Sequence, residues 1–368
     1  MKILVCFGTR PEAIKMAPVV FALKQSGLDF ETCVTAQHRD MLDQVLDFFE
    51  IKPDYDLDLM TSGQTLNELS ARIIKAMDEA LDISRPEIVL VQGDTTTAAM
   101  TALAAFQKGI RIGHVEAGLR TFDLTSPYPE EMNRQLISVL STYHFPPTQR
   151  AYENLIAENI STEAVLRTGN TVVDALFWTH EKIRKGFSNS FIEYWSNNRS
   201  KNSQLILVTA HRRENFGLGL SELMIALIQL TQKINCQIIW PVHPNPKVKE
   251  AINQNIEENR QIFLVEPVDY PSMIWLMSQC DLIISDSGGI QEEAPSFGVK
   301  VLVTRSNSER MEGVEHGSSI LVGMNAKNIV QNAINILQSK STNSIVNNPF
   351  GNGAAAKEIV KFLQKKNP

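Results

Sequence analysis

A chain of 368 residues exceeds what one ordinary hydrophobic core organises, so two domains are expected. Its 43% hydrophobic and 21% charged residues fit a globular chain, and a net charge of −6 excludes a broad basic surface for nucleic acid or an anionic membrane. An anionic ligand would have to be met by a local pocket of Arg and Lys.

The chain enters an apolar strand at once, without a signal peptide, and carries no apolar run of membrane-spanning length. Cys6, Cys33, Cys236 and Cys280 lie far apart, the first two inside apolar runs, and read as reduced thiols of a cytoplasmic protein. Strands are expected at residues 3–7, 30–35, 88–92, 112–115 and 165–168, then at 205–209, 237–241, 262–265, 282–285 and 299–303. Strands apolar on both faces and separated by helical segments predict parallel sheets covered on both sides. Residues 185–203, rich in Asn, Ser and Lys, read as a linker, and the polar stretch 339–353 precedes a last amphipathic helix at 354–365. The division is 1–185, 203–350 and 351–368, with the last helix packing back on the first domain. The expected fold class is α/β, two Rossmann-like doubly wound domains with the site in the cleft at the carboxyl ends of their strands.

The chemistry-bearing segments sit where strands run out. The first strand ends in Gly8-Thr9-Arg10-Pro11-Glu12, with Lys15 on the helix that follows. Pro11 suits the first helical position, which leaves Arg10 in the loop. Cations at a helix start oppose its dipole, so Arg10 and Lys15 are candidates to meet a phosphate or sugar. Asp94, in Gln92-Gly93-Asp94-Thr95-Thr96-Thr97, serves as a helix cap on the simplest reading, and capping does not exclude catalysis. Glu116, in His114-Val115-Glu116-Ala117-Gly118-Leu119-Arg120, follows an apolar strand directly, a costly place for an unpaired charge. Glu130 and Arg134 share a helix face after Pro129, where acids also complement the dipole.

In the second half, His211 stands beside Arg212 and Arg213 after a buried strand, which suits phosphate or proton work. His243 ends the next strand in a proline-rich loop. The run 282–293 breaks from apolar strand to Ser287-Gly288-Gly289 and then to an acidic helix, a pattern suited to a diphosphate on backbone N–H groups. Arg310 lies in a segment placed to close over phosphates. There is no GxxxxGK[ST] loop, the run from Gly217 has Glu222 where the dinucleotide fingerprint needs its third glycine, and no paired-His motif implies a metal.

Together these residues resemble the non-hydrolysing bacterial UDP-N-acetylglucosamine 2-epimerases. The matching runs are 8–15, 37–39, 93–96, 114–120, 129–131, 168–171, 211–214, 243–244 and 286–295, in family order over roughly residues 1–365. The resemblance implies a GT-B architecture, a homodimer, and interconversion of UDP-GlcNAc and UDP-ManNAc without metal or other cofactor. It implies that Asp94, Glu116, Glu130 and His211 are catalytic, with Asp94 and Glu116 taken as the acid–base pair. Arg10, Lys15, Arg134, Arg212, His243, Ser287, Gly288, Gly289, Glu293 and Arg310 are implied to bind the UDP-sugar, Glu293 at the ribose. UDP-GlcNAc is implied as an activator at a second site that takes in Gln37, His38 and Gln64, although Gly63 stands where some members carry arginine. The alternatives are a GT-B glycosyltransferase using a UDP-sugar and a hydrolysing epimerase that releases UDP and ManNAc.

Overall fold

The apolar runs form two separate parallel sheets in a computed structural model of the chain, which describes residues 1–36, 39–61, 63–210, 218–242, 259–305, 308–339 and 347–366. Two compact units result, one of residues 1–175 and 350–368, the other of residues 176–349.

The first unit holds β1 (Lys2–Phe7), β2 (Asp29–Val34), β3 (Tyr55–Asp56), β4 (Ile88–Gln92), β5 (Arg111–Val115) and β6 (Tyr143–Phe145), in the order β3-β2-β1-β4-β5-β6. Ile3, Leu4, Val5, Phe7 and the run Ile88 to Val91 are fully buried, because helices cover both faces. The helices of this unit are α1 (Arg10–Ser26), α2 (Arg39–Phe49), α3 (Leu66–Ser84), α4 (Thr96–Gln107), α5 (Glu130–Leu140), α6 (Gln149–Ala157) and the start of α7 (Thr171–Arg184). The order reverses between β1 and β4, which places the turns after these two strands side by side at the carboxyl edge.

The second unit repeats the plan. It comprises α8 (Ser190–Asn198), β7 (Gln204–Thr209), α9 (Leu218–Lys233), β8 (Cys236–Pro241), β9 (Ile262–Val265), α10 (Tyr270–Gln279), β10 (Leu282–Ser285), α11 (Gly288–Glu293), β11 (Val301–Val303), α12 (Met311–Glu315), β12 (Ser319–Leu321) and α13 (Ala326–Gln338). Its sheet runs β12-β11-β10-β7-β8-β9, the same order with its reversal between β7 and β10. No helix of the described residues is long and apolar enough to cross a membrane.

The chain ends on α14 (Ala355–Lys365), which belongs to the first unit and packs on α1. Phe362 meets Tyr143 and Phe145 edge-on at 5.3 and 5.6 Å. Its first turn lacks a cap of its own, and Asp174 supplies one, accepting from Ala355 N at 3.2 Å and Ala356 N at 2.9 Å. Burial lifts the Asp174 carboxyl to about 6 against the pull of these bonds.

Three expectations need correction. Residues 165–168 are not a strand: Leu166 N and Thr168 N donate to His144 O and Pro146 O, but Pro146 has no N–H to return a bond. Residues 185–203 are not a linker, since α8 buries Ile192 and Trp195 and sets Trp195 edge-on to Phe263 at 5.1 Å. The chain instead passes between units within α7, at Ala175 and Leu176. Finally, α1 starts at Arg10 instead of Pro11, because Thr9 and Glu12 form a reciprocal capping box one residue earlier.

Two predictions test this packing. Gly118 has φ of 84°, and a Cβ there would lie 2.2 Å from Ala151 O. Gly118→Ala should cost about 2–6 kcal/mol, from strain and overpacking of roughly 1–3 kcal/mol each, seen as a lowered denaturant midpoint. The second concerns His114 and His144, register partners on β5 and β6, which burial holds at about 3 and about 4. The unfolded chain takes up protons at both from about pH 6.5 downward and the folded chain does not, so both contributions to stability are lost as pH falls below 6.5. His144→Phe should flatten the fall between pH 6.5 and 4 by about one proton, roughly 1.4 kcal/mol per pH unit, in urea titrations.

Candidate active site

The carboxyl edge of the first sheet collects the acidic candidates. Glu116 follows β5 with φ of 64°, a left-handed conformation that costs a non-glycine residue about 1–3 kcal/mol. Its side chain is 4% exposed. A carboxylate so far from water must be met by donors, and side chains from three elements supply them. Lys15 Nζ, from the second turn of α1, lies 2.7 Å from both carboxylate oxygens. Asn170 Nδ2, just before α7, donates to Oε1 at 3.1 Å, and Gln92 Nε2, at the end of β4, donates to Oε2.

Asp94 sits in different surroundings on the neighbouring turn, with its side chain 26% exposed. Arg134 grips Oδ2 with Nε at 2.9 Å and Nη2 at 2.7 Å, and no partner is found for Oδ1 among the described residues. Asn133 Nδ2 holds the Asp94 carbonyl at 2.8 Å. Arg134 is anchored in turn by buried Glu131 at 3.1 Å, which also accepts from Thr121 N, Phe122 N and Gln135 Nε2. Burial pushes the Glu131 carboxyl up, but the hydrogen bonds from Gln135, Thr121, Arg134 and Phe122 outweigh it and leave it below the usual carboxylate value. Glu130, the first residue of α5, is half-buried and has no hydrogen-bond or ion-pair partner among the described residues.

Glu12 ties the two turns together. Its Oε2 accepts from Gly8 N at 2.9 Å and Thr9 N at 2.7 Å, while Oε1 accepts from Thr95 Oγ1 at 2.6 Å. Burial raises its pKa against these bonds. Arg10 is half-buried at the same edge. The ammonium of Lys15 is engaged with Glu116.

In the second unit, the turn after β10 is set by side chains that hold one another. Ser285 Oγ and Thr209 Oγ1 lie 2.7 Å apart across β10 and β7, and Ser287 N donates to Ser285 Oγ at 2.9 Å. Gln291, fully buried, donates to Ser287 O at 3.1 Å. The two glycines then differ. A Cβ on Gly288 would come 2.8 Å from Arg310 Cζ, so that glycine makes room for the guanidinium. A Cβ on Gly289 would meet nothing nearer than Ser287 Oγ at 4.0 Å, so its open side is where a ligand can approach the backbone.

Arg310 donates from Nε to Glu292 Oε1 at 3.0 Å and from Nη1 to Glu309, which also accepts from Arg305 at 2.8 Å. Burial opposes ionisation of Glu309, but Arg310 and Arg305 bring its carboxyl down to about 2. Glu293 is buried and accepts from Tyr270 OH at 3.0 Å. His211, Arg212 and His243, with Gln37 and His38, lie outside the described residues. Gln64 Oε1 accepts from Thr61 and Arg72 at 3.0 and 3.2 Å, within its own loop and α3.

Sequence reasoning gave no role to Gln92, Asn170, Glu12 or Glu131. Each has an ordinary local reading, as a strand end, a helix cap, a capping-box acid or a first-turn acid, and only the fold shows what the side chain holds. The available signal was for Gln92, a polar residue closing a strand otherwise fully apolar.

Comparison with known proteins places this geometry. The family model described as UDP-N-acetylglucosamine 2-epimerase matches residues 22–364. The UDP-N-acetylglucosamine 2-epimerase of Salmonella typhimurium is 46% identical over 371 residues, covering 99% of this chain and 98% of that protein. Among solved structures, the Neisseria meningitidis UDP-GlcNAc 2-epimerase bound to UDP-GlcNAc matches with a TM-score of 0.90 and 45% identity, over 99% of this chain and 100% of that one. The Methanocaldococcus jannaschii enzyme in complex with UDP-GlcNAc and UDP matches with a TM-score of 0.85 and 32% identity, over 99% and 100%. The fold class is therefore α/β of the GT-B type, two Rossmann-like units in one chain. On sequence and structure alike, the chain belongs to the UDP-N-acetylglucosamine 2-epimerase family.

Proposed function

We propose that this enzyme interconverts UDP-GlcNAc and UDP-ManNAc by eliminating UDP to a glycal and adding it back. C2 of the sugar is not next to a carbonyl, so its proton cannot leave to a stabilised enolate. In the elimination a base takes the C2 proton, the electrons of that bond form the C1–C2 double bond, and the C1–O bond breaks with its electron pair going to UDP. In the return step UDP oxygen attacks C1 and a proton arrives at C2 from the opposite face, which inverts that centre.

The observation that supports this reading is the convergence of two unlike carboxylates on neighbouring strand ends. Among the described residues Asp94 keeps one oxygen without a partner while Arg134 orients the other, and Lys15, Gln92 and Asn170 hold Glu116. We assign these two the proton transfers at C2, with Glu130 and His211 assisting elimination. General acid–base groups of this kind supply about 10²–10⁴-fold each. The Ser287-Gly288-Gly289 turn holds the leaving diphosphate, with Arg310 adding charge and Glu293 meeting the ribose. The same reading has UDP-GlcNAc as activator at a second site with Gln37, His38 and Gln64, a homodimer in the cytoplasm, and ManNAc supply to a surface polysaccharide. Sigmoidal initial rates against UDP-GlcNAc test the activator.

Incubating UDP-GlcNAc alone in D₂O decides among the reactions. Formation of UDP-ManNAc with deuterium at C2 is expected. Steady release of UDP would instead indicate hydrolysis, and no reaction without an acceptor a transferase. Asp94→Asn and Glu116→Gln should each lower kcat by about 10²–10⁴-fold, and parental turnover in either would remove that residue from the pair. The two glycines differ in what a methyl group would meet. Gly288→Ala should push aside the Arg310 guanidinium, the far end of a flexible side chain, with a small loss of stability and a raised KM for UDP-GlcNAc. Gly289→Ala should fold like the parent and raise KM for UDP-GlcNAc about tenfold, near 1.4 kcal/mol.

A further inference from the structure

We propose that Asn170 is a positioning residue for Glu116, seated by the returning C-terminal segment. The inference rests on the reading of Glu116 as a proton-transfer group. Asn170 is 1% exposed and bonded on three sides. Its backbone N donates to Phe350 O at 2.7 Å, its Oδ1 accepts from Val172 N at 3.0 Å, and its Nδ2 donates to Glu116 Oε1 at 3.1 Å. The N–H of Val172 fixes the amide's orientation, because a flip would set NH₂ against N–H and oxygen against carboxylate. The side chain can therefore present only a donor to Glu116.

The turn needs less than this for its own sake. Asp, Ser or Thr would accept from Val172 N at a helix start as well as Asn does. What Asp, Ser and Thr lack is an amide N–H₂ to offer a carboxylate while that bond is kept. The choice of asparagine answers to Glu116.

The C-terminal segment locks the turn from the other side. Gly169, at φ of 88°, packs so closely that a Cβ would lie 3.2 Å from Gly351 Cα, and a Cβ on Gly351 would lie 3.3 Å from Asn170 N. One turn on, Asp174 accepts from the first N–H groups of α14. Residues near the chain's end thus fix the backbone of Asn170, and Asn170 fixes one oxygen of Glu116. Lys15 from α1 and His114 on β5 are titratable neighbours of Glu116; Lys15 bonds both of its oxygens and Gln92 bonds Oε2.

The test uses the full-length chain with UDP-GlcNAc as substrate, measuring kcat and KM across pH, with thermal unfolding and a Glu116→Gln control. Asn170→Asp keeps the Val172 bond but replaces the donor by a second carboxylate. It should lower kcat about 10²-fold with KM within about twofold, the scale expected of a misplaced group. It should also move the acidic limb of the kcat profile to higher pH, since neighbouring carboxylates favour a shared proton. Asn170→Ser keeps the cap without added charge and should lower kcat about tenfold with the limb unmoved. Parental kcat and pH profile in Asn170→Asp, with Glu116→Gln inactive, would overturn the positioning role. A loss of activity that merely follows loss of folded protein, at unchanged pH profile, would overturn it too. Parental turnover in Glu116→Gln would instead remove the reading beneath it.

Discussion

A charge withdrawn from water must be matched by donors, and the first unit is arranged around one such charge. Glu116 is nearly buried and sits on a strained backbone, and Lys15, Gln92 and Asn170 reach it from α1, β4 and α7. The strand order makes this possible, because β1, β4 and β5 are neighbours and their carboxyl ends open onto one edge. A buried ion pair is a poor source of stability, since desolvation cancels much of the attraction, and removing one partner costs about 3–5 kcal/mol. Strain and burial held together at one carboxylate are what a preorganised site requires, and the fold tolerates their cost through packing elsewhere.

The neighbouring Asp94 shows the opposite solution. It stays partly in water, and its orientation comes from Arg134, itself fixed by Glu131, whose other bonds pin the turn at Thr121 and Phe122. One carboxylate is fixed by surrounding it and the other by bracing one oxygen. In the second unit Arg310 is likewise braced, between Glu292 and Glu309 and flat against Gly288. On the reading proposed above, bracing the guanidinium in advance lowers the ordering cost of meeting a diphosphate.

Much of this was legible in the sequence, for identifiable reasons. Strands buried on both faces leave continuous apolar runs, so the inner strands could be read directly. The edge strands β3, β6 and β12 have two or three residues and leave no such run. Residues 185–203 look like a linker because α8 is short and only Ile192 and Trp195 of it are buried, too few apolar positions to stand out in a stretch rich in Asn, Ser and Lys. Glu116 stood out because an acid directly after an apolar strand is costly. The pairing of Lys15 with Glu116 was not legible, because nothing near Lys15 in the sequence points to a carboxylate about a hundred positions away. The contact of Asn170 with Glu116 was not legible for a different reason: asparagine at a helix start already has an ordinary reading as a cap.

The two units carry one strand order and opposite chemistry. At the reversal of the first sheet the turns present Glu12 and Asp94, with Glu116 one strand further; at that of the second, the turn after β10 presents Ser287 and two glycines. Backbone N–H groups and small residues suit a phosphate, and carboxylates suit a proton. The fold supplies the edge and leaves the reaction to the residues placed there, so resemblance of architecture alone would not separate a transferase from an epimerase. What separates them is whether the acids of the first unit are built to exchange protons. On the reading proposed above, the bracing of Asp94 through one oxygen and the hold of Lys15, Gln92 and Asn170 on Glu116 serve proton exchange, which a simple displacement at C1 does not need.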